Sequence, residues 1–590
     1  MPSRTLQIIS VLCTAILAVG FTSVLIAAAA TTADYDAMEQ AADKGDKQAL
    51  SQLQAAADSN DAVAQYHLGD YYFVGQNYAQ AFPWYQKSAA NGDPTGEFDL
   101  AYLYEYGEGV NQDYAQALDW YEKSSNAGYP AAQNKMGDFY YYGYGVKQDY
   151  QQAFNWYQQA ANNGDAMGQF NLGYAFEHGE GTAQDYNQAY YWYKKSADQS
   201  YGAAENKVGD FYYYGHAVKQ DYQQAFNWYQ KAANDGDSVG EYDLGYAYEY
   251  GQGVQPDDAQ AFQWYQKSAA QGYAPAEREV GYFYYAGRGV AQDDKQSFNW
   301  FLKSAQDNDA FGQYSAGVSY EIGRGTTQDY GQAFYWYSKA AGQGYAPAET
   351  AVGDFYYFGH AVKQDYQQSF NWYQKAAGDG DVNGQFDLAY DYEKGQGTQQ
   401  DYGQAFTWYT KSAAQGNSAA QTKLGDFYFN GLSVKQDYAQ AVGWYRKAVD
   451  QGNAAAENKL GDCYYNGNGL TADKPQAFAL YQQAAQDGDA SGEYQLGLRY
   501  AKGNGEPQDY ALAAWWYYQA ANSKAGSADA AGALSELYIQ GQGVPQDLSQ
   551  AQFWAAQAAK SQSGQSASAP NILPDFMSPK PNEAMANNSN

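Results

Sequence analysis

Aromatic and apolar residues recur along this chain at a constant spacing. Tryptophan marks the period, because the same position is occupied every 36 residues. The series is Trp84, Trp120, Trp156, Trp192, Trp228, Trp264, Trp300, Trp336, Trp372, Trp408 and Trp444. Leu480 takes the next place, Trp516 resumes the series, and Trp554 follows after a two-residue insertion. A period of this length is typical of solenoids, in which each repeat buries its apolar face against the next.

Each period divides into two predicted helices joined by a short polar loop. In one repeat the first helix runs from Leu244 to Gly251, and the second continues through Trp264 to Ala270. An Asp followed three residues later by Gln, as in Asp113 to Gln116, resembles a capping box that opens the second helix. Glycines also stand where a left-handed residue would end each helix, at Gly107, Gly143, Gly251, Gly128, Gly164 and Gly272.

These residues together resemble the Sel1-like repeat, a relative of the tetratricopeptide repeat. The shared pattern is Leu-Gly, Tyr, Gly-x-Gly-Val, Asp-Tyr, Trp-Tyr and Lys-Ala-Ala, ending in Gly, and it extends from Ala62 to Lys560. The resemblance implies an all-α, α/α superhelical solenoid of about 14 helix-turn-helix repeats of 36 residues. The first copy lacks four loop residues between Gly75 and Tyr78, and the copy at Leu480 lacks the tryptophan.

The sequence also repeats with a second, longer period. The segments 137–158 and 209–230 differ only where Tyr144 is replaced by His216 and Gly145 by Ala217. The segment 271–277 likewise recurs at 343–349. Both spacings are 72 residues, so two repeat types alternate and the array is expected to have grown by duplication of pairs.

The two ends of the chain differ from the repeats. Residues 1–33 carry Arg4 and then an uncharged apolar run, which predicts a secretory signal peptide or an uncleaved N-terminal anchor. Either would place the body outside the cytoplasm, in the periplasm or secreted from a bacterial cell. Residues 34–61 are expected to form a degenerate N-terminal capping half-repeat, residues 62–560 the solenoid, and residues 561–590 a disordered tail.

The net charge of -32 limits the partners that the chain can bind. Nucleic acids and anionic membrane surfaces are excluded, because both require clustered Lys and Arg. The same charge also keeps a secreted protein soluble without any partner. Proteins or peptides, especially basic ones, and glycans are left as partners, and no cofactor is indicated.

Candidate binding positions follow from the geometry of the first helix. With the recurring apolar residue, such as Met136, at offset zero, a rotation of about 100° per residue places offsets two, five and six opposite the buried face. One repeat type carries Asp at offset two and an aromatic ring at offset five: Asp138 and Tyr141, Asp210 and Tyr213, Asp354 and Tyr357, Asp426 and Phe429, Asp462 and Tyr465. The other inverts the order: Tyr102 and Glu105, Tyr174 and Glu177, Tyr246 and Glu249, Tyr390 and Glu393.

Three interpretations of these carboxylate and ring pairs remain open. By resemblance to tetratricopeptide-like solenoids they would line a groove, where carboxylates pair with Lys or Arg and rings add cation-π contacts of about 0.5 to 1 kcal/mol. The same groove would suit a glycan through stacking and hydroxyl hydrogen bonds. Alternatively, the rings pack on neighbouring repeats and the acids only solvate a helix face.

The chain shows no constellation typical of catalysis or metal binding. His67 and His178 are scattered, and His216 and His360 are expected to be solvated loop residues. The segment 379–384 imitates the start of a calcium loop, but Tyr390 occupies the twelfth position, where Glu is needed. Cys463 is predicted to be a buried, inert thiol, and it cannot pair internally once Cys13 is removed with a signal peptide.

The sequence therefore predicts a non-enzymatic, extracytoplasmic scaffold or adaptor that binds proteins through an acidic, tyrosine-rich surface. A protein that binds glycans or envelope polysaccharide is the alternative. A hydrolase is a distant third, because the Sel1-like proteins credited with acting on β-lactams are rich in paired cysteines, which this chain lacks.

Overall fold

The structure is a computed structural model that describes residues 32–504, 507–523 and 527–562. These residues form 30 helices and no strand, which confirms the predicted all-α repeat architecture. They belong to two compact units, Met1–Asp293 and Asp294–Asn590. Cys13, nearly all of the predicted signal or anchor segment and the predicted tail beyond residue 562 lie outside the described residues. The first described helix begins at Thr32 and the last ends at Gln562.

The first unit contains helices α1 to α15. They are α1 (Thr32–Asp43), α2 (Lys47–Asp58), α3 (Ala62–Val74), α4 (Tyr78–Ala90), α5 (Pro94–Tyr106), α6 (Tyr114–Asn126), α7 (Pro130–Tyr142), α8 (Tyr150–Asn162), α9 (Ala166–His178), α10 (Tyr186–Ala197), α11 (Gly202–Tyr214), α12 (Tyr222–Asn234), α13 (Ser238–Tyr250), α14 (Asp258–Ala270) and α15 (Ala274–Ala286). The pair α1 and α2 precedes the first regular repeat and packs on α3.

The second unit contains helices α16 to α30. They are α16 (Asp294–Gln306), α17 (Ala310–Ile322), α18 (Tyr330–Gly342), α19 (Ala346–Phe358), α20 (Tyr366–Gly378), α21 (Val382–Lys394), α22 (Tyr402–Ala414), α23 (Ser418–Asn430), α24 (Tyr438–Val449), α25 (Ala454–Asn466), α26 (Lys474–Gln486), α27 (Ala490–Lys502), α28 (Tyr510–Asn522), α29 (Ala528–Gln540) and α30 (Leu548–Gln562). From α3 onward the odd-numbered helices are the first helices of the repeats, and the even-numbered helices are the second.

The helix boundaries lie where the sequence places them. Gly107 ends α5 with φ of 74°, in the left-handed region, and its N–H donates to the Leu103 carbonyl. Asp113 opens α6, because its carboxylate accepts hydrogen bonds from the backbone N–H groups of Ala115 and Gln116. Gly109, the second glycine of the loop, has φ of 70°, and a Cβ there would collide with the Tyr78 carbonyl of the preceding repeat. The Gly-x-Gly loop is therefore both a helix stop and a contact between repeats.

Tyrosine rings, rather than aliphatic side chains, fill much of the core. A tyrosine follows the periodic tryptophan in most repeats, and it is among the largest fully buried side chains at Tyr121, Tyr193 and Tyr265. A glycine of the first helix usually makes room for the ring: at Gly245 a Cβ would lie 2.8 Å from Cδ1 of Tyr265. Because a buried phenol hydroxyl needs a hydrogen-bond partner, this core requires one polar acceptor in every such repeat.

Candidate functional site

The buried tyrosines find their acceptor in the carboxylates that alternate along the first helices. Tyr121 donates a hydrogen bond of 2.6 Å to Oε2 of Glu105, and Tyr157 donates one of 3.0 Å to Oδ1 of Asp138. We call each such contact a tyrosine–carboxylate pair. Equivalent pairs are Tyr85–Asp70, Tyr193–Glu177, Tyr229–Asp210, Tyr265–Glu249, Tyr337–Glu321, Tyr373–Asp354, Tyr409–Glu393, Tyr445–Asp426 and Tyr481–Asp462.

The pairs explain what the two repeat types have in common. Offsets two and five of the first helix are three residues apart, so they lie on the same side of the helix. The acceptor comes either from Asp at offset two, as in Asp138, or from Glu at offset five, as in Glu105. The remaining offset carries a ring in all of these repeats but one, where it carries Val318. Asp138, Asp210, Asp354, Glu105, Glu177, Glu249 and Glu393 therefore all have a structural role that the sequence reasoning did not find.

Burial changes the acid-base properties of both partners. The pKa of Tyr121 is raised well above its ordinary value, first because the phenol is buried and second because the Glu105 charge is adjacent. Burial also raises the pKa of Asp138, Asp210 and Asp354 to about 6, although the hydrogen bonds from Tyr157, Tyr229 and Tyr373 lower it. These carboxyl groups hold a proton under mildly acidic conditions.

A lysine of the following repeat neutralises some of the paired carboxylates. Lys135 lies 3.1 Å from Glu105, Lys207 lies 3.3 Å from Glu177, and Lys423 lies 3.0 Å from Glu393. At the corresponding place after Asp210 and Asp354 the next repeat instead supplies another acid, Asp243 or Asp387. Burial, and next the neighbouring Asp210 or Asp354, raises the pKa of each of these acids to about 8.

The aromatic members of the predicted pairs are partly buried and pack on other rings. Tyr102 meets Phe73 of the preceding repeat edge-on at 5.8 Å, and Tyr141 meets Tyr150 edge-on at 5.2 Å. Tyr357 donates a hydrogen bond of 3.0 Å to Gln396 in the loop of the next repeat. Tyr102, Tyr141, Tyr174, Tyr213, Tyr246, Tyr357 and Tyr390 are all only partly accessible to solvent. The structure thus brings the predicted ring and carboxylate onto one side of the first helix in the repeats that carry both.

Apart from Leu548, the most exposed large apolar side chains stand at offset six, the last residue of the first helices. In the first unit they are Val74, Tyr106, Tyr142, Tyr214 and Tyr250, and in the second unit Ile322 and Phe358; their exposed fractions lie between 51% and 63%. We call these residues the helix-end row. The sequence could have identified these positions. Each residue immediately precedes the loop glycine, and offset six lies on the same side of the helix as offsets two and five.

Some residues of the helix-end row stack on neighbouring aromatic rings. His216 lies parallel to Tyr186 at 4.7 Å and stacks on Tyr214 at 5.8 Å. Tyr144 takes the same place between Tyr114 and Tyr142. His216 is a loop residue, as expected, but it is not fully solvated, because its ring is partly buried between two tyrosines. His360 is exposed as expected, but it too stacks on Phe358.

Lysines of the second helices lie over the tryptophans and not beside the helix-end row. Nζ of Lys123 lies 3.4 Å from the Trp120 ring centroid, and Nζ of Lys267 lies 3.6 Å from that of Trp264. The same cation-π contact recurs at Lys87, Lys231, Lys411 and Lys447. Much of the positive charge is thus held against the second helices, while the first helices carry the paired carboxylates.

Other candidate chemistry is limited in the described residues. Cys463 is completely buried, which confirms the predicted burial of its thiol, and burial, followed by the Asp462 charge, raises the pKa of this thiol to about 12. Within residues 32–504, 507–523 and 527–562, no three His, Cys, Asp or Glu side chains are arranged to hold a metal ion. Across the same ranges, no helix has the length and apolar character needed to span a membrane.

Comparisons with known proteins agree with the repeat architecture. The sequence model of the Sel1 repeat matches fourteen segments that cover residues 62–524 and 528–563, so the predicted number of repeats is confirmed. The structure of c5321, a protective antigen of uropathogenic Escherichia coli that displays an SLR fold, is 32% identical, covers 78% of this chain and 99% of that chain, and has a TM-score of 0.60. A Sel1 repeat protein from Oxalobacter formigenes is 30% identical over 52% of this chain and 89% of its own, with a TM-score of 0.40. No curated protein matches significantly. By its repeats and by its similarity to solved Sel1 repeat structures, this chain belongs to the Sel1 repeat family.

Proposed function

We propose that this protein is a non-enzymatic, extracytoplasmic scaffold that binds basic segments of partner proteins along its first helices. A solenoid of Sel1 repeats is consistent with a scaffold for protein–protein interactions. The observation that carries the proposal is the helix-end row, because large exposed apolar side chains recur at one position in five repeats of the first unit, interrupted by His178. Exposed apolar residues that recur on one face are typical of interaction sites in soluble proteins.

Charge selects the kind of segment that would bind. The chain carries 66 Asp and Glu against 34 Lys and Arg. Second-helix lysines such as Lys123 are held over tryptophan rings, and Lys135 of a first helix reaches the Tyr106 hydroxyl at 3.3 Å, so the excess of acids in the whole chain sets the sign of the field. Arg or Lys of a partner would be attracted by this field and would gain cation-π contacts with rings such as Tyr106 and Tyr250.

The predicted ring and carboxylate positions form the layer beneath that surface. Tyr102 and Tyr246 contact Tyr106 and Tyr250 at 4.5 Å and orient those exposed rings. Glu105 and Glu249 are buried, engaged with Tyr121 and Tyr265, and paired with Lys135 and Arg288, so they stabilise this layer and do not contact a partner. Location outside the cytoplasm rests on the apolar run within residues 1–33, which argues for export of the body.

The test uses the purified protein and a labelled oligo-arginine peptide in a fluorescence-polarisation titration. We expect the double variant Tyr106→Ala and Tyr250→Ala to weaken binding about tenfold, since each cation-π contact contributes about 0.5 to 1 kcal/mol. The matched control is Tyr191→Ala with Tyr335→Ala, because these tyrosines are similarly exposed but lie on second helices.

The outcome of the titration decides between the open interpretations. Binding that weakens with salt and is lost only in the helix-end variant supports a surface for basic protein segments. Equal loss in both double variants would show that the position of the ring is irrelevant and would overturn the proposal. Retention of a neutral oligosaccharide, with no retention of the peptide, would replace it with the glycan-binding function.

A further inference from the structure

A cavity of about 380 Å³ opens beside the helix pair that precedes the first regular repeat. Its wall comes from α1, from α3 and from the start of α5. Asp36, Glu39, Asp70 and Asp93 contribute four carboxylates, and among its described lining residues there is no Lys or Arg. The cavity is therefore strongly electronegative, and it is separate from the helix-end row.

One ring nitrogen of His67, Nε2, has no hydrogen-bond partner among the described residues that surround this cavity. Its side chain is 4% exposed, and Nδ1 lies 2.6 Å from Oε2 of Glu39. If the Nδ1 proton is donated to Glu39, Nε2 carries a lone pair. Within the described part of the chain Nε2 has no hydrogen-bond partner, and it lies 3.6 Å from Oδ1 of Asp36, too far for a hydrogen bond.

With Nε2 as the acceptor, this arrangement is unfavourable unless a proton donor joins it. A nitrogen lone pair and a carboxylate oxygen that face each other at 3.6 Å repel, and a buried acceptor without a donor loses its solvation without compensation. A positively charged N–H group placed between Nε2 of His67 and Asp36 would donate to both. It would also sit in the field of Glu39, Asp70 and Asp93.

The other carboxylates are committed to the fold and would act mainly through charge. Asp70 accepts hydrogen bonds of 3.0 Å from Tyr66 and 2.7 Å from Tyr85. Asp93 caps α5 by accepting a hydrogen bond of 2.9 Å from the Gly96 N–H. The specific contacts to a ligand therefore fall to His67 and Asp36, and the ring of Tyr66 lines the cavity as an apolar wall.

We propose that this cavity binds an organic ammonium group that donates hydrogen bonds to Nε2 of His67 and to the Asp36 carboxylate. The ammonium could belong to a free polyamine or to a lysine side chain of another protein, since both offer the same N–H chemistry. A cavity of about 380 Å³ accommodates either. A metal ion fits less well, because no three side chains of the described residues are arranged as its ligands.

The test is isothermal titration calorimetry of the full chain with spermidine and, separately, with Nα-acetyl-lysine methylamide. Asp36→Asn is expected to weaken binding about tenfold or more, because it removes a charge-assisted acceptor. Asp36 is 54% exposed, so this change leaves the fold intact. The matched control is Asp43→Asn, which removes the same charge from an exposed position of α1 outside the cavity.

Two further comparisons test the proposal: a His67 variant, and the relative affinity of the two amines. His67→Gln should also weaken amine binding, with helical content monitored by circular dichroism. Preference for spermidine would indicate a free polyamine, and preference for the lysine derivative a protein side chain. Absence of binding by both amines, equal weakening by Asp36→Asn and Asp43→Asn, or binding of Zn²⁺ that depends on His67 and excludes amines would overturn the assignment.

Discussion

The Tyr121 hydroxyl donates a hydrogen bond of 2.6 Å to Glu105, and both side chains are buried within one repeat. The pair lets a tyrosine-filled core satisfy its own hydroxyl groups. It also assigns a structural role to carboxylates that a helical projection alone places on a surface.

Removing one member of a tyrosine–carboxylate pair should destabilise the repeat that contains it. We expect Tyr121→Phe to cost about 1 to 3 kcal/mol locally, because Glu105 stays buried after losing a donor. Hydrogen exchange of the α5 and α6 amides measures the change repeat by repeat, which suits an array that need not unfold in one step. Tyr191→Phe, at an exposed second-helix position, should leave exchange unchanged; an equal effect of both variants would refute the role of the pair.

The close contact between glycine and tyrosine predicts opposite effects for two similar substitutions. At Gly317 a Cβ would lie 2.6 Å from Cδ1 of Tyr337, so Gly317→Ala should destabilise by about 1 to 3 kcal/mol through overpacking. Gly443 lies inside α24 with no atom near its absent Cβ, so Gly443→Ala should be neutral or stabilise by up to about 1 kcal/mol. Urea unfolding of both variants checks the prediction, and a stabilised Gly317→Ala protein would contradict it.

Stability should rise on mild acidification, against the usual trend. Asp243 and Asp387 have a pKa of about 8, and Asp138, Asp210 and Asp354 of about 6, all above the ordinary value near 3.8. The native state therefore binds more protons than the unfolded chain. This contribution to stability is complete below the unfolded pKa and is lost as pH rises through 6 to 8.

The measurement is the thermal unfolding midpoint between pH 8 and pH 5, which should increase as pH falls. Asp387→Asn should reduce the pH dependence, whereas Asp119→Asn, at an exposed second-helix position, should not. A midpoint that falls steadily from pH 8 to pH 5 would show that these carboxyl groups are ionised in the native protein.

The thiol of Cys463 should not react while the protein is folded. It is completely buried and its pKa is about 12, so almost none is present as thiolate at neutral pH. Iodoacetamide labelling followed by peptide-resolved mass spectrometry should modify Cys463 only in denaturant. Rapid labelling of the native protein would mean that this part of α25 opens frequently.

Local features of the fold could be predicted from the sequence because their causes are local. The period of 36 residues, the two helices per repeat, the cap at Asp113 and the left-handed Gly107 each depend on neighbours within a few positions. The burial of Cys463 followed from the helical period in the same way. The export or anchoring role of the apolar N-terminal segment and the disorder of the tail stay predictions, since nearly all of the first and all of the tail beyond residue 562 fall outside the described residues.

The site was harder to predict because it depends on distances between helices. A helical projection puts Glu105 and Asp138 on the face opposite the core, but it cannot show that the tyrosine of the next helix reaches back to them. For the same reason the projection could not show that Tyr102 is partly buried whereas Tyr106 is exposed. The stacking of His216 likewise requires a ring from the preceding repeat, 30 residues earlier.

Each tyrosine–carboxylate pair closes inside a single repeat: Glu105 and Tyr121 belong to residues 94–129, and Asp138 and Tyr157 to residues 130–165. A gene rearrangement that inserts or deletes a complete repeat therefore separates no buried tyrosine from its acceptor. Copy number can change between descendants of this gene while every surviving repeat keeps its own pair, although a carboxylate such as Glu105 would exchange the lysine that it takes from the next repeat.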